Sequence, residues 1–163
     1  MSKIRKRATA SGDFLPVDIS VGYQIRMTHR ALQRYRQAKL EPHGVTLGMW
    51  YYLRALWEED GLTQRELSAR METMEPSTLS AIQVMERGGL VRRTRSKSDR
   101  RKLHIFLTPK GKRLREKLLP LAREVVDAAT ANMSSSEIKN LLRGVTKVRK
   151  NVNARVKELN GER

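Results

Sequence analysis

The sequence predicts a mainly α-helical chain with one small β-hairpin set between its helices. Three observations carry this. Apolar residues recur at steps of three and four over most of the length; the two β-type segments are short and flank a basic loop; and Pro, Gly, Ser and Thr stand where these patterns start and stop. With 163 residues, 39% of them hydrophobic and 31% charged, the chain suffices for one domain with appended helices and a modest core under a charged surface.

Residues 1–16, rich in Lys, Arg and Ser with Gly12 and Pro16, read as a flexible basic arm, either a frayed terminus or a DNA-touching one. Asp18 is a candidate N-cap for a helix to about Lys39, with Val21, Ile25, Thr28, Leu32 and Tyr35 along one side; Pro42 and Gly44 end it. Thr46 caps a second helix over 47–59, which turns Leu47, Trp50, Leu53, Leu56 and Trp57 inward and closes at Gly61. Thr63, with Glu66 three residues on, forms a capping box for a short helix with Leu67 facing inward. After a turn over 72–75, Pro76 opens a further helix. Leu79, Ile82, Met85 and Glu86 lie along one side of it, and Gly88 and Gly89 stop it. Two short helices joined by a tight turn make a helix-turn-helix.

Residues 90–94 and 103–107 are β-type, and the basic run between them reads as the tip of a hairpin that forms a wing after the second helix. Thr108, Pro109 and Gly111 open a long helix to about Ala131, with Leu114, Leu118, Leu121, Val125 and Ala128 in register. Ser134 to Ser136 break and recap it. The last helix repeats Ile138, Leu141, Val145, Val148, Val152 and Leu159 at helical steps. A small winged domain cannot bury these apolar seams alone. Pairing with a second copy covers them, and the alternative is that the terminal helices pack on each other and on residues 18–39. The division expected is thus an arm over 1–16, a helical dimerisation region over 17–45 and 110–163, and a winged helix-turn-helix over 46–109.

The net charge of +17 points to a polyanionic partner, and its distribution is blocked. Residues 92–102 hold seven Lys/Arg and one Asp, whereas 41–86 hold eight acids and three Arg. The chain has no cysteine, which removes disulfides, thiolate metal sites and thiol switches; His29, His43 and His104 are too scattered to suggest zinc, so no metal or cofactor is expected. The basic N-terminus is not followed by an apolar stretch and no long apolar run occurs, so a cytoplasmic protein with no membrane role is expected. Glu58, Glu59 and Asp60 are the carboxylates an enzyme would use. They sit at a helix end with no His or nucleophile nearby in sequence, and read as an exposed cap, not a catalytic group.

In order and spacing, the segments Thr63-Gln64-Arg65-Glu66-Leu67-Ser68, Pro76-Ser77-Thr78-Leu79-Ser80, Met85-Glu86-Arg87-Gly88-Gly89-Leu90-Val91, Asp99-Arg100-Arg101 and Leu107-Thr108-Pro109-Lys110-Gly111 resemble the MarR (multiple antibiotic resistance regulator) family. The resemblance runs from about residue 18 to 158. It implies a homodimer with interlocked terminal helices that binds a pseudo-palindromic double-stranded DNA operator. The second helix of the motif would enter the major groove and the wing the adjacent minor groove, with Asp99 bracing Arg101. It further implies a regulator, in most relatives a repressor, released by a small aromatic or phenolic acid or a CoA thioester.

One departure matters: Ser77 to Glu86 contains no Arg or Lys. The face expected toward DNA presents Ser77, Ser80, Ala81 and Val84, flanked by Thr78 and Gln83, with Arg87 at the far end, a set suited to base edges and thymine methyls more than to guanine. Phosphate attraction must then come largely from the wing, through Arg93, Arg95, Lys97, Arg100 and Arg101. For the effector, the family's usual site near the first two helices offers Arg26, His29, His43, Trp50 and Tyr51. The competing reading is a sequence-indifferent architectural or RNA-associated protein. It accounts for the charge but leaves the dimer seam and the Asp99–Arg101 wing unexplained.

Overall fold

A computed structural model describes residues 16–96 and 102–161. Helix α1 spans Val21–Leu40, and its N-cap is Ser20, whose Oγ accepts the Tyr23 N–H at 3.3 Å. Asp18, expected in that role, lies in the preceding turn, where its carbonyl accepts the Gln24 side-chain amide at 3.1 Å. A 3-10 turn, Glu41–His43, follows and is ended by Gly44 at φ +67°. Helix α2 (Leu47–Glu58) is capped by Thr46, and α3 (Gln64–Met71) carries the full Thr63/Glu66 capping box. Helix α4 (Glu75–Arg87) starts one residue before Pro76, which occupies the second position, where a missing N–H costs nothing.

Strands β1 (Val91–Arg95) and β2 (Leu103–Leu107) pair antiparallel from Val91↔Leu107 to Arg95↔Leu103, and the Ser96 N–H donates to the Lys102 carbonyl at 3.0 Å at the base of the loop. The other edge of β2 is covered by residues 61–63. Gly61 N–H donates to Ile105 O at 3.0 Å and Ile105 N–H to Leu62 O at 2.8 Å. Helices α5 (Pro109–Ala129) and α6 (Ser135–Leu159) complete the chain, and α6 is opened by a capping box between Ser134 and Glu137.

The chain divides into two compact units at Val125–Val126, within α5. In the first unit the core joins Trp50, Leu53 and Leu56 of α2, Leu67 of α3, Ile82 and Met85 of α4, Val91, Ile105 and Leu107 of the hairpin, and Leu118 of α5. The apolar stripe of α1 exists as expected but is uncovered, with Val21, Tyr23, Ile25, Met27 and Tyr35 all exposed. Toward its C-terminus α1 is tied to α5: Glu124 pairs with Lys39 and accepts the Tyr35 hydroxyl at 3.3 Å. In the second unit, Leu141, Leu142, Val145, Val152, Val156 and Leu159 of α6 are exposed, and the helix buries none of its residues.

Three carboxyls sit below their ordinary 4.5. The Thr63 backbone N–H and then its hydroxyl lower Glu66, the Ser134 hydroxyl and then its N–H lower Glu137, and the Lys39 ammonium lowers Glu124. A carboxyl whose pKa is depressed by folding stabilises the fold above its unfolded pKa, and that contribution is lost as pH falls through the folded value. Stability in urea is therefore expected to be level above about pH 5 and to decline steadily as the pH is lowered toward about 3. An unchanged midpoint across that range would show that the capping boxes and the Lys39–Glu124 pair do not persist in solution.

Candidate nucleic-acid interface

The helix-turn-helix is positioned from beneath by α2. Helix α4 buries Thr78, Ile82 and Met85 at steps of four and three, while Leu79 is only half-buried. This corrects one expected contact. Thr78, placed by sequence on the flank of the DNA-facing side, is 0% exposed. Its hydroxyl accepts the Tyr52 hydroxyl at 3.2 Å and lies 3.0 Å from the Thr73 hydroxyl. A buried hydroxyl must find partners, and Tyr52 supplies one from α2, so Thr78 orients the helix and does not reach the surface.

The remaining outward residues stay outward. Ser77, Ser80, Val84 and Arg87 are exposed, and Ala81 and Gln83 are half-buried beside them. Ser80 Oγ donates to the Pro76 carbonyl at 3.0 Å, which uses its one proton and leaves its lone pairs to solvent. Val84, 42% exposed, is an apolar side chain on a face with no basic residue before Arg87. Such a face suits thymine methyls and groove shape.

The wing is held at both ends by carboxylates. At its start Glu86 accepts the Arg93 backbone N–H at 3.1 Å with one oxygen and Arg93 Nε at 2.7 Å with the other. At its end Asp60 accepts the Leu107 N–H at 2.8 Å and the Gly61 N–H at 3.1 Å, and Lys112 lies 3.4 Å away. Asp60 therefore does more than the exposed cap expected of it. Its neighbours are also engaged: Glu58 pairs with Arg54 and Glu59 with Arg70. Arg92 stacks on the Phe106 ring at 4.9 Å, and Arg95 is exposed near the loop. Lys97, Asp99, Arg100 and Arg101 lie outside the described residues.

A separate open groove of about 560 Å³ runs between α1 and the start of α2, lined by His29, Arg30, Gln33, Arg34, Gln37, Ala38, Glu41 and Leu47. The Gln33 amide donates to His29 Nε2 at 3.2 Å and to the Tyr51 hydroxyl at 3.0 Å, and Arg36 donates to that hydroxyl at 3.1 Å. Of the five expected effector residues, His29 lines this groove and Tyr51 is bonded to its wall. Arg26 and His43 are exposed and are not among the lining residues. Trp50 is a correction: it is buried edge-on against Trp57, ring centroids 5.8 Å apart, because its step on α2 faces the core. Of the residues that sequence reading missed, Gln33 and Gln37 follow His29 at steps of four on one face of α1, and Arg30 and Arg34, themselves four apart, form the adjacent row.

Among the described residues no cluster of His, Asp or Glu is arranged to hold a metal ion, and no helix is long and apolar enough to cross a membrane.

A family model for the MarR family matches residues 43–102, from the end of the 3-10 turn after α1 to the residue before β2. The HTH-type transcriptional regulator TtmR of Methylorubrum extorquens is 29% identical over 147 residues, covering 90% of this chain and 74% of that protein. A MarR transcriptional regulator from Methanosarcina mazei superimposes with a TM-score of 0.73 at 29% identity, over 82% of this chain and 96% of that one. The Bordetella bronchiseptica regulator BpsR, whose DNA binding is regulated by 6-hydroxynicotinic acid, superimposes with a TM-score of 0.75 at 18% identity, over 85% and 98% of the two chains. Helix-turn-helix, braced wing, motif order and these likenesses agree: residues 43–102 carry the winged helix-turn-helix of the MarR family, and the chain is similar over most of its length to DNA-binding transcriptional regulators.

Proposed function

We propose that this regulator is a repressor that binds a pseudo-palindromic operator as a homodimer and is released by a small aromatic acid. The observation that carries the reading is the path through α2 from the groove to the recognition helix. Tyr51 is bonded to Gln33 and Arg36 on the groove side, and the next residue, Tyr52, is bonded to Thr78 inside α4. Consecutive helical side chains point about 100° apart, so one turn of α2 addresses both α1 and α4. A ligand that draws Gln33 or Arg36 away from Tyr51 would rotate α2 and with it the seat of α4.

The groove favours an aromatic carboxylate. His29, Arg30 and Arg34 supply cations and ring edges, and Ala38 and Leu47 an apolar floor. An aromatic acid is also what regulates BpsR. Homodimerisation is supported by the uncovered apolar residues of α1 and, in the second unit, of α6. In this reading Ser77, Ser80, Ala81, Gln83, Val84 and Arg87 meet the major groove. Arg93, Arg95 and the loop residues Lys97, Asp99, Arg100 and Arg101 serve the wing, and the arm over 1–16 remains a candidate backbone contact.

The test is fluorescence anisotropy on the DNA adjoining its own gene against a scrambled duplex of equal length at about 0.2 M salt, where non-specific binding is weak. The expected preference is about a thousandfold or more, with release on adding hydroxylated aromatic carboxylates. Equal binding to both duplexes would favour the sequence-indifferent reading, and a preference that no aromatic acid reverses would remove the effector assignment alone.

A further inference from the structure

We propose that Glu86 is a positioning residue which aims Arg93 at a DNA phosphate and locks the near strand of the wing to the end of the recognition helix. The proposal rests on the reading of α4 and the wing as the DNA-facing surface. The geometry begins with the hairpin. Arg93 stands opposite Ile105, and Ile105 spends both its N–H and its carbonyl on residues 61 and 62 at the other edge. The Arg93 N–H therefore points away from β2, as an unpaired edge donor. Glu86, one residue before the end of α4, takes this N–H with one carboxylate oxygen and Arg93 Nε with the other.

Two consequences follow from this fork. A single carboxylate joins backbone and side chain of one residue, so both the position of β1 and the direction of the guanidinium are set by α4. Bonding through Nε also leaves the terminal amines projecting, and among the described residues they take no further partner. A guanidinium held at Nε offers its outer nitrogens as a planar pair, the arrangement that meets a phosphate bidentately. An acid at the end of a helix that approaches DNA would otherwise only repel it. Both side chains are about one-third exposed, so the pair is open to a partner at the surface.

The experiment measures binding of the full chain to a labelled mixed-sequence duplex as a function of salt, for the unaltered protein, E86A, R93A and the double variant, with thermal melts of each. Loss of one phosphate contact flattens the log–log salt slope by about one per protomer, the result expected for R93A. E86A is expected to flatten the slope by a similar amount although it makes the protein more positive, and the double variant to be no flatter than R93A. R93K, which keeps charge but not the fork, is expected to make removal of Glu86 inconsequential. Should E86A not fold, E86Q carries the same comparison with side-chain length retained. Tighter binding by E86A with an undiminished slope would overturn the proposal, since Glu86 would then be only a repelling charge. A lowered melting point with an unchanged slope would overturn it too, by reducing Glu86 to a structural brace. If the unaltered protein shows no salt-dependent binding, the DNA-facing reading itself falls and takes the proposal with it.

Discussion

Replacing Gly111 by Ala is expected to destabilise the protein by about 3 kcal/mol, the upper end of what overpacking a rigid site costs, and to lower Tm by roughly 10 °C. Gly111 is buried in the first turn of α5, and a Cβ there would stand 2.2 Å from the Leu90 carbonyl oxygen and 3.1 Å from Leu107 Cδ2. The first of these is backbone and cannot rotate aside. The same turn is pinned from three directions: Trp57 Nε1 donates to the Gly111 carbonyl at 3.0 Å, the Thr108 hydroxyl donates to the Gly89 carbonyl at 2.6 Å, and Lys110 Nζ donates to the Gly88 carbonyl at 2.9 Å. Relief must therefore come from moving α5 away from the junction of α4 and β1, which would also part the wing from the recognition helix. Differential scanning calorimetry and DNA titration of the variant check both effects. A Tm within about 2 °C of the unaltered protein would show that this close approach does not exist in solution.

Ser80→Glu is expected to lower DNA affinity by about a hundredfold or more while leaving Tm nearly unchanged. Ser80 is exposed on α4 and its loss removes only a bond to the Pro76 carbonyl, so the stability change belongs in the range of about 0.5 kcal/mol found for surface positions. The new carboxylate would face the phosphates and base-edge acceptors of a major groove, and like-charge juxtaposition at an interface costs several kcal/mol. Anisotropy with the operator-bearing duplex and a parallel melt separate the two effects. Full affinity in a folded variant would mean that α4 does not enter the groove by this face, and the contact surface would have to be sought on the wing alone.

Most of the local architecture was legible because its causes are local. Capping boxes need residues three apart, so Thr63 with Glu66 marks the start of α3 without reference to any tertiary contact. The Gly88–Gly89 stop and the short β-type run over 103–107 likewise placed the end of α4 and the span of β2 correctly. Asp18 was the misleading case. Both Asp18 and Ser20 can cap, and which one does depends on where the backbone first turns helical, a choice two residues wide that composition does not resolve.

The site divides along the same line. That α4 has an outward face without basic residues before Arg87, that the wing is basic, and that the chain is a winged helix-turn-helix regulator were determined by the sequence itself, through periodicity, charge placement and the order of its motifs. What tertiary structure alone decided is how each helix is rotated about its axis and which distant groups meet. Thr78 turned inward because Tyr52, twenty-six residues earlier, offers its hydroxyl a partner there. Glu86 found Arg93 only once α4 and β1 were folded back on each other. A helical pattern sets which residues share a face, but the few tens of degrees that separate a buried residue from a flanking one are set by packing against the rest of the molecule.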